Sequence, residues 1–183
     1  MLTRRKFIRA AGLLALAPYL DARGEPRIWV NDIHSQLNRT RVRALLTPRT
    51  HDEVAQAVRR ASDDRLSISV SGCRHSMGGQ QFATDSICID SLQLTRVLAF
   101  DREHGLIEAE AGIQWPKLID FYLEAQRGET RQWGIAQKQT GADTFTLGGS
   151  LSANVHGRGL TMKPLISNVE SFTLINSERK TVS

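Results

Sequence analysis

The chain is poor in cysteine, with only Cys73 and Cys88 in 183 residues. So sparse a pair makes neither a disulfide framework nor a metal-ligand cluster. Both read as small buried hydrophobes beside one loop, with a bridge between them as the alternative in an exported protein. Long apolar runs are also missing, and nothing approaches the roughly 20 residues that a membrane-crossing helix needs. There is no internal repeat and no low-complexity tract. The net charge of +5 is concentrated at the start, where Arg4, Arg5, Lys6 and Arg9 precede any acidic residue. The remainder is close to neutral, which removes the electrostatic argument for nucleic acid as a partner. The length suits one domain of ordinary size with room for a small second lobe.

What is present begins with a charged start, a mild apolar run and small residues over 1–17. This reads as a targeting peptide, not as part of the fold. Thr3-Arg4-Arg5-Lys6-Phe7-Ile8 resembles the bacterial twin-arginine export motif. The expectation is a signal peptide and short linker over 1–22, cleaved after Ala17 or Ala22, with the twin-arginine export machinery as partner and a periplasmic or exported destination. Residues 23–183 then form the folded domain.

Within that domain, Asn31-Asp32 could start a short helix, and His34 reads as a surface or interface histidine. Thr50 with Glu53 three residues later forms a capping-box pattern, and Val54, Ala57, Val58 and Ala61 recur on one face, so a helix is expected up to Ser62-Asp63-Asp64. Strands are expected over 66–70 and 86–90. Leu94 to Asp101 and Leu106 to Glu110 read as two more strands, with Glu108 and Glu110 on one solvated face. A helix is expected from Gln114 to Leu123, with Pro116 in its first turn and Leu118, Phe121 and Tyr122 packing on the sheet. Ser167 to Asn176 alternates like a strand, and Thr181-Val182-Ser183 begins its partner.

Two stretches break these patterns. The first, Ser69 to Gln80, empties a strand into glycines, hydroxyls and one histidine, His75. Such a loop can turn its N–H groups toward one point and hold an anion. It lies between two strands and not at a helix start, so it fails the context of a dinucleotide-binding Rossmann fingerprint. The second, Gln139 to Gly159, has five glycines, many hydroxyls and few charges. It reads as an extended segment, then a short helical turn opened by Gly148-Gly149, whose freed N–H groups would favour a diphosphate oxygen.

Both stretches resemble segments of one family, the flavin oxidoreductases related to vanillyl-alcohol oxidase and p-cresol methylhydroxylase (the PCMH type). Their first FAD loop has a small residue, Gly, two variable positions, His, Ser, and a Gln five residues after the His. Here the match is Ser71, Gly72, Cys73, Arg74, His75, Ser76, Gly79 and Gln80. Arg74 stands where the commoner pattern has a second glycine, as in sugar-alcohol oxidases that also read Arg-His-Ser, and puts the backbone angle there in question. The family's second segment, Thr-x-Gly-Gly-x-x-Ser, is matched by Thr146, Gly149 and Ser152, with Gly141, Asn154 and His156 near further cofactor contacts.

The resemblance covers about residues 42–183. It implies an α+β fold: a PCMH-type FAD-binding domain with a small N-terminal α/β lobe and the start of a second α/β lobe, C-terminally incomplete and without the substrate domain. It implies FAD as cofactor, attached covalently through His75, with no second link because no cysteine follows Cys88. It also implies a flavin-dependent oxidoreductase acting on CH–OH groups of an alcohol, sugar or lactone, with a small-molecule substrate and an electron acceptor as partners of the complete enzyme. No catalytic base is assigned, and His34, His51 and His156 are not given that role. Two other readings stay open at this point: a truncated, non-catalytic fragment with weak or no FAD binding, and a small nucleotide- or anion-binding protein. Truncation is expected to leave the 169–175 strand with an unpaired edge and to lower solubility.

Overall fold

The computed structural model describes residues 28–138, 141–157, 159, 161–178 and 180–183. The signal-peptide reading of 1–22 lies outside these residues. The first described element is an antiparallel pair, β1 (Ile28–Val30) and β2 (Thr40–Val42), in which Ile28 faces Val42. No helix starts at Asn31-Asp32. Asp32 is instead the buried centre of a turn, because its short carboxylate can collect local N–H groups better than a helix start could.

A three-stranded parallel sheet follows, in the order β3 (Ala44–Leu46), β5 (Ile87–Asp90), β4 (Ile68–Ser71). All four residues of β5 are buried, which is the expected state of a central parallel strand. Cys88 sits there with no exposure, while Cys73 lies in the loop beyond β4, and both are free thiols. Helix α1 (His51–Asp63) links β3 to β4. Thr50 caps it by accepting from the Glu53 N–H at 3.2 Å, and Glu53 replies to the N–H of Arg49 at 2.7 Å, one residue earlier than a capping box requires. Ala57 and Ala61 are its buried face, and Ala61 packs with Ala44 and Ile87.

The second half begins with an antiparallel hairpin, β6 (Val97–Asp101) and β7 (Leu106–Ala109). Glu110, expected on a solvated face, is instead drawn in: its carboxylate accepts from the Arg96 backbone N–H at 2.7 Å and from that residue's guanidinium at 2.7 and 3.0 Å. Helix α2 (Trp115–Ala125) buries Trp115 and Leu118. That face runs on to half-buried Tyr122, so Phe121, expected in the core, falls at its edge, 37% exposed and edge-on to Phe100. Helix α3 (Leu147–Ser152) is one and a half turns long.

The expected strand over 167–176 is reduced to β8 (Leu174–Ile175), which pairs with β9 (Thr181–Val182). Residues Leu165–Asn168 form a 3₁₀ turn instead. The start of the expected strand loses its backbone donors to that turn, the Ser167 N–H to the Pro164 carbonyl at 3.0 Å and the Val169 N–H to the Ile166 carbonyl at 3.2 Å, while just before it the Leu165 N–H goes to the Val155 carbonyl at 2.9 Å and that of Ile166 to the Asn154 side chain at 3.3 Å. Leu165 is thereby pinned in a core with Ile113, Trp115 and Leu118. Among the described residues no helix is long and apolar enough to cross a membrane.

Candidate functional site

The connection from β4 to β5 contains no helix, so the first glycine loop itself crosses from one parallel strand to its neighbour. Its base is fastened by serines. Ser69 and Ser86 share a hydrogen bond at 2.8 Å, and the Ser91 hydroxyl donates to the Ser71 carbonyl at 3.1 Å. The loop leaves at the C-terminal end of β4, the side on which ligands of open parallel sheets lie.

Gly72 then meets the second segment. A Cβ on Gly72 would lie 2.3 Å from the Thr146 Oγ1, so the absence of a side chain is what lets the two loops touch. Thr146 is buried, and its hydroxyl accepts the Gly149 N–H at 3.1 Å as the N-cap of α3. Gln114 ties the same junction. Its side-chain amide donates to the Cys73 sulfur at 2.7 Å and to the Thr144 carbonyl at 3.0 Å. Burial pushes the Cys73 thiol up from its ordinary pKa and the Asp90 charge adds to that, which disfavours the thiolate.

Arg74 adopts φ of +58°, the left-handed region that favours glycine. The loop therefore keeps the backbone path of the glycine pattern with a residue that bears a strain of about 1 kcal/mol there. Two contacts hold it: the guanidinium faces the buried Asp90 carboxylate at 3.5 Å, and the carbonyl accepts from the Ile33 N–H at 3.1 Å.

His75 lies at the meeting point of three segments. Its Nδ1 shares a hydrogen bond with His34 Nε2 at 2.8 Å, and its Nε2 shares one with the Thr144 hydroxyl at 2.9 Å. The Phe145 ring stands edge-on to it, with centroids 4.5 Å apart. Burial holds the His75 imidazole below its ordinary pKa, with the neighbouring His34 acting in the same direction. Both effects favour the uncharged form of the ring.

Asp32 supports this arrangement from below. Its carboxylate accepts from the N–H groups of His34 at 3.0 Å and Ser35 at 2.6 Å, the Ser35 hydroxyl at 2.8 Å and the Asn38 amide at 3.1 Å. Burial acts to raise its pKa, but these donors outweigh burial and hold it far below the carboxylate range. The same turn carries Asn38 and Ser35 to the Met77 carbonyl. A depressed native pKa contributes stability that is fully present above the unfolded value of about 3.9 and is lost as pH falls toward the native one. Asp32→Asn should therefore melt several degrees below wild type at pH 7, with the gap closing under acid conditions. A gap that stays constant from pH 7 to pH 3 in thermal melts followed by circular dichroism would remove Asp32 from this role.

The remaining expected site residues are placed as follows. Ser76 and Gln80 are exposed on the loop, and Gly79 has φ of +71° and packs on Asn38. Gly141 and Ser152 are exposed on the second segment. The Asn154 side chain accepts from Ile166, and His156 Nδ1 lies 2.8 Å from the Gly157 carbonyl. Ser152, Asn154 and His156 make no hydrogen bond or ring contact with the first loop among the described residues.

One expectation is overturned. The N–H groups at the start of α3 are not free for a diphosphate: Leu147 donates to Ile113, Gly148 to Ala111 and Gly149 to Thr146. Because α3 starts beside the 111–114 segment, its donors are satisfied by protein. The N–H groups of Cys73, Arg74, His75 and Ser76, by contrast, have no protein acceptor among the described residues. The donor-rich surface is thus the first loop, which suits an anionic group.

Asp32, His34, Gln114, Thr144 and Phe145 were not singled out from the sequence as site residues. The spacing of Asp32, Ser35 and Asn38 is a readable signal for a carboxylate-centred turn. Nothing local signals the contact of His34 with His75, which are 41 residues apart.

A family model described as an FAD binding domain matches residues 42–183, and the chain belongs to that family, the PCMH-type FAD-binding domains. It is similar to L-gulonolactone oxidase of Scyliorhinus torazame, with 29% identity over 136 residues, 74% of this chain and 29% of that protein. Among solved structures it resembles alkyldihydroxyacetonephosphate synthase, with a TM-score of 0.63, 21% identity and 75% of this chain matched to 25% of that one. A variant of cholesterol oxidase from Brevibacterium sterolicum gives a TM-score of 0.55 at 17% identity, over 72% of this chain and 24% of the other. The chain thus spans 24–29% of the length of these proteins.

Proposed function

We propose that this chain is the FAD-binding portion of a flavin-dependent oxidoreductase that acts on CH–OH groups of an alcohol, sugar or lactone, with His75 as the covalent tether. The observation that carries the reading is His75 itself: an imidazole hydrogen-bonded at both nitrogens, at the junction of the two glycine segments, beside N–H groups with no protein acceptor among the described residues. The names of the lactone and cholesterol oxidases support the reaction class, while the synthase is a reminder that one fold serves several chemistries.

When bound, the flavin supplies the hydride-accepting chemistry. The chain's own residues place it. Cys73 to Ser76, with Ser71, Gly72, Gly79 and Gln80 around them, offer the anion-binding backbone. Gly141, Ser152, Asn154 and His156 belong to the second wall, and Thr146 and Gly149 lock the walls together. His75 holds the ring and retains the cofactor, which suits a protein exported after folding by the twin-arginine route that residues 3–8 suggest.

The purified chain is expected to be yellow, with flavin fluorescence that stays on the acid-denatured band in a gel. In His75→Ala that band fluorescence should vanish. Fluorescence unchanged in His75→Ala would remove the tether. A colourless protein would favour the non-catalytic fragment, and bound nucleotide without a flavin spectrum the anion-binding alternative.

A further inference from the structure

The turn that carries His34 precedes residues 42–183, the stretch the family model matches, yet it is built onto the first loop. Ile33 donates to the Arg74 carbonyl at 3.1 Å, Ser35 to the Met77 carbonyl at 3.3 Å, and His34 reaches His75. We propose that His34 is a positioning residue for the tether: it shares one proton with His75 Nδ1 and so holds that ring uncharged and in a fixed orientation, with Thr144 on its other edge. The proposal rests on the reading of His75 given above.

The geometry allows little else. At 2.8 Å, His34 Nε2 and His75 Nδ1 have room for one hydrogen between them. Protonating both nitrogens would set two N–H groups against each other and break the contact. A donor at His34 Nε2 therefore opposes a proton on His75 Nδ1. Other charges near the pair are turned away from it. The Asp32 carboxylate is occupied by its own turn, Arg74 faces Asp90, and Asp143, next to Thr144, pairs with Lys138. The lowered pKa of His75 agrees with this arrangement. His34 is exposed and makes no ring contact other than with His75 among the described residues, so its replacement should spare the core.

The pair has a function in retention of a cofactor. Such a bond would join an imidazole nitrogen to a methyl carbon of the flavin with loss of one proton from each, leaving a two-electron-reduced flavin that dissolved oxygen would reoxidise; only an uncharged imidazole has a lone pair for it, and a ring free to rotate about χ1 and χ2 presents it in few of its orientations. His34 removes both difficulties before a ligand arrives.

The test is a titration of both rings by two-dimensional NMR on the full chain, with His34→Ala, His34→Gln and His75→Ala alongside the wild type. In His34→Ala the His75 midpoint should rise toward that of an ordinary histidine. His34→Gln, which keeps a donor without a titrating charge, should leave the His75 midpoint low. Formation of acid-stable flavin on added FAD should slow about tenfold in His34→Ala, the lower end of what partners of a functional histidine contribute at metal sites. A His75 midpoint that is the same in wild type and His34→Ala, with unchanged melting, would overturn the proposal. If His75→Ala keeps acid-stable flavin, the tether reading fails, while the titrations still decide whether His34 holds the ring.

Discussion

Gly72→Ala is expected to separate the two glycine segments and cost the protein most of its affinity for FAD. The new methyl would sit 2.3 Å from Thr146 Oγ1, 3.1 Å from its Cγ2 and 3.3 Å from its Cβ. Thr146 cannot swing aside cheaply, because it is buried and its hydroxyl caps α3 through Gly149. Overpacking of this kind costs about 1–3 kcal/mol, and loss of the cap about 1 kcal/mol. Rotating the hydroxyl away would forfeit the cap and still leave the Thr146 Cβ crowded, so the two costs combine in part, and a loss of about 2 kcal/mol and a fall in melting temperature of about 5 °C are expected. If half of that loss falls on the bound state, FAD binding weakens several-fold, and if all of it does, more than tenfold. A double-mutant cycle isolates the contact. Thr146→Ala alone should lose the cap, and Gly72→Ala combined with Thr146→Ala should be little worse than Thr146→Ala. Additive losses, or a Gly72→Ala protein that loads FAD like wild type, would mean that the loops do not need this approach.

Gly112→Ala should damage the fold still more. Its Cβ would be 1.7 Å from the Ser91 carbonyl oxygen and 2.7 Å from that of Leu94. Both are backbone atoms, and the Ser91 carbonyl is held in a 3₁₀ turn by the Leu94 N–H at 2.9 Å. Relief requires moving the 111–113 backbone, whose carbonyls at Ala111 and Ile113 receive the first N–H groups of α3. A loss of about 3 kcal/mol or more is expected, at the upper end for an overpacked site. It should appear as a lower urea midpoint and a poor soluble yield. Gly134→Ala is the control, since nothing lies within 4 Å of its Cβ position. It should be neutral, and equal effects at Gly112 and Gly134 would contradict the packing described.

The two glycine segments were legible because their chemistry is local. A loop that must pass close to another backbone writes glycine at the point of approach, and Gly72 and Gly148 stand at such points. Helix α1 was legible for the same reason, since a cap and its partner are three residues apart. Arg74 shows the limit: the sequence only put the backbone angle there in question, and it is the structure that shows a left-handed residue held by contacts with Asp90 and Ile33. Phe121 and Glu110 went astray because periodicity assigns a face without saying how wide the buried part is.

By itself the sequence determined that the chain has two glycine-rich segments, a histidine in the first, and the strands and helices that flank them, because each of these rests on residues a few positions apart. Tertiary structure alone decided which donors remain for a ligand. The N–H groups at the start of α3 are taken by Ala111 and Ile113, more than thirty residues away, while those of Cys73 to Ser76 are left. It also decided that His34 belongs to the site, by folding the Asp32 turn against a loop 41 residues further on. Hydrogen-bond accounting is a property of the whole packed chain, and a pattern within one segment does not contain it.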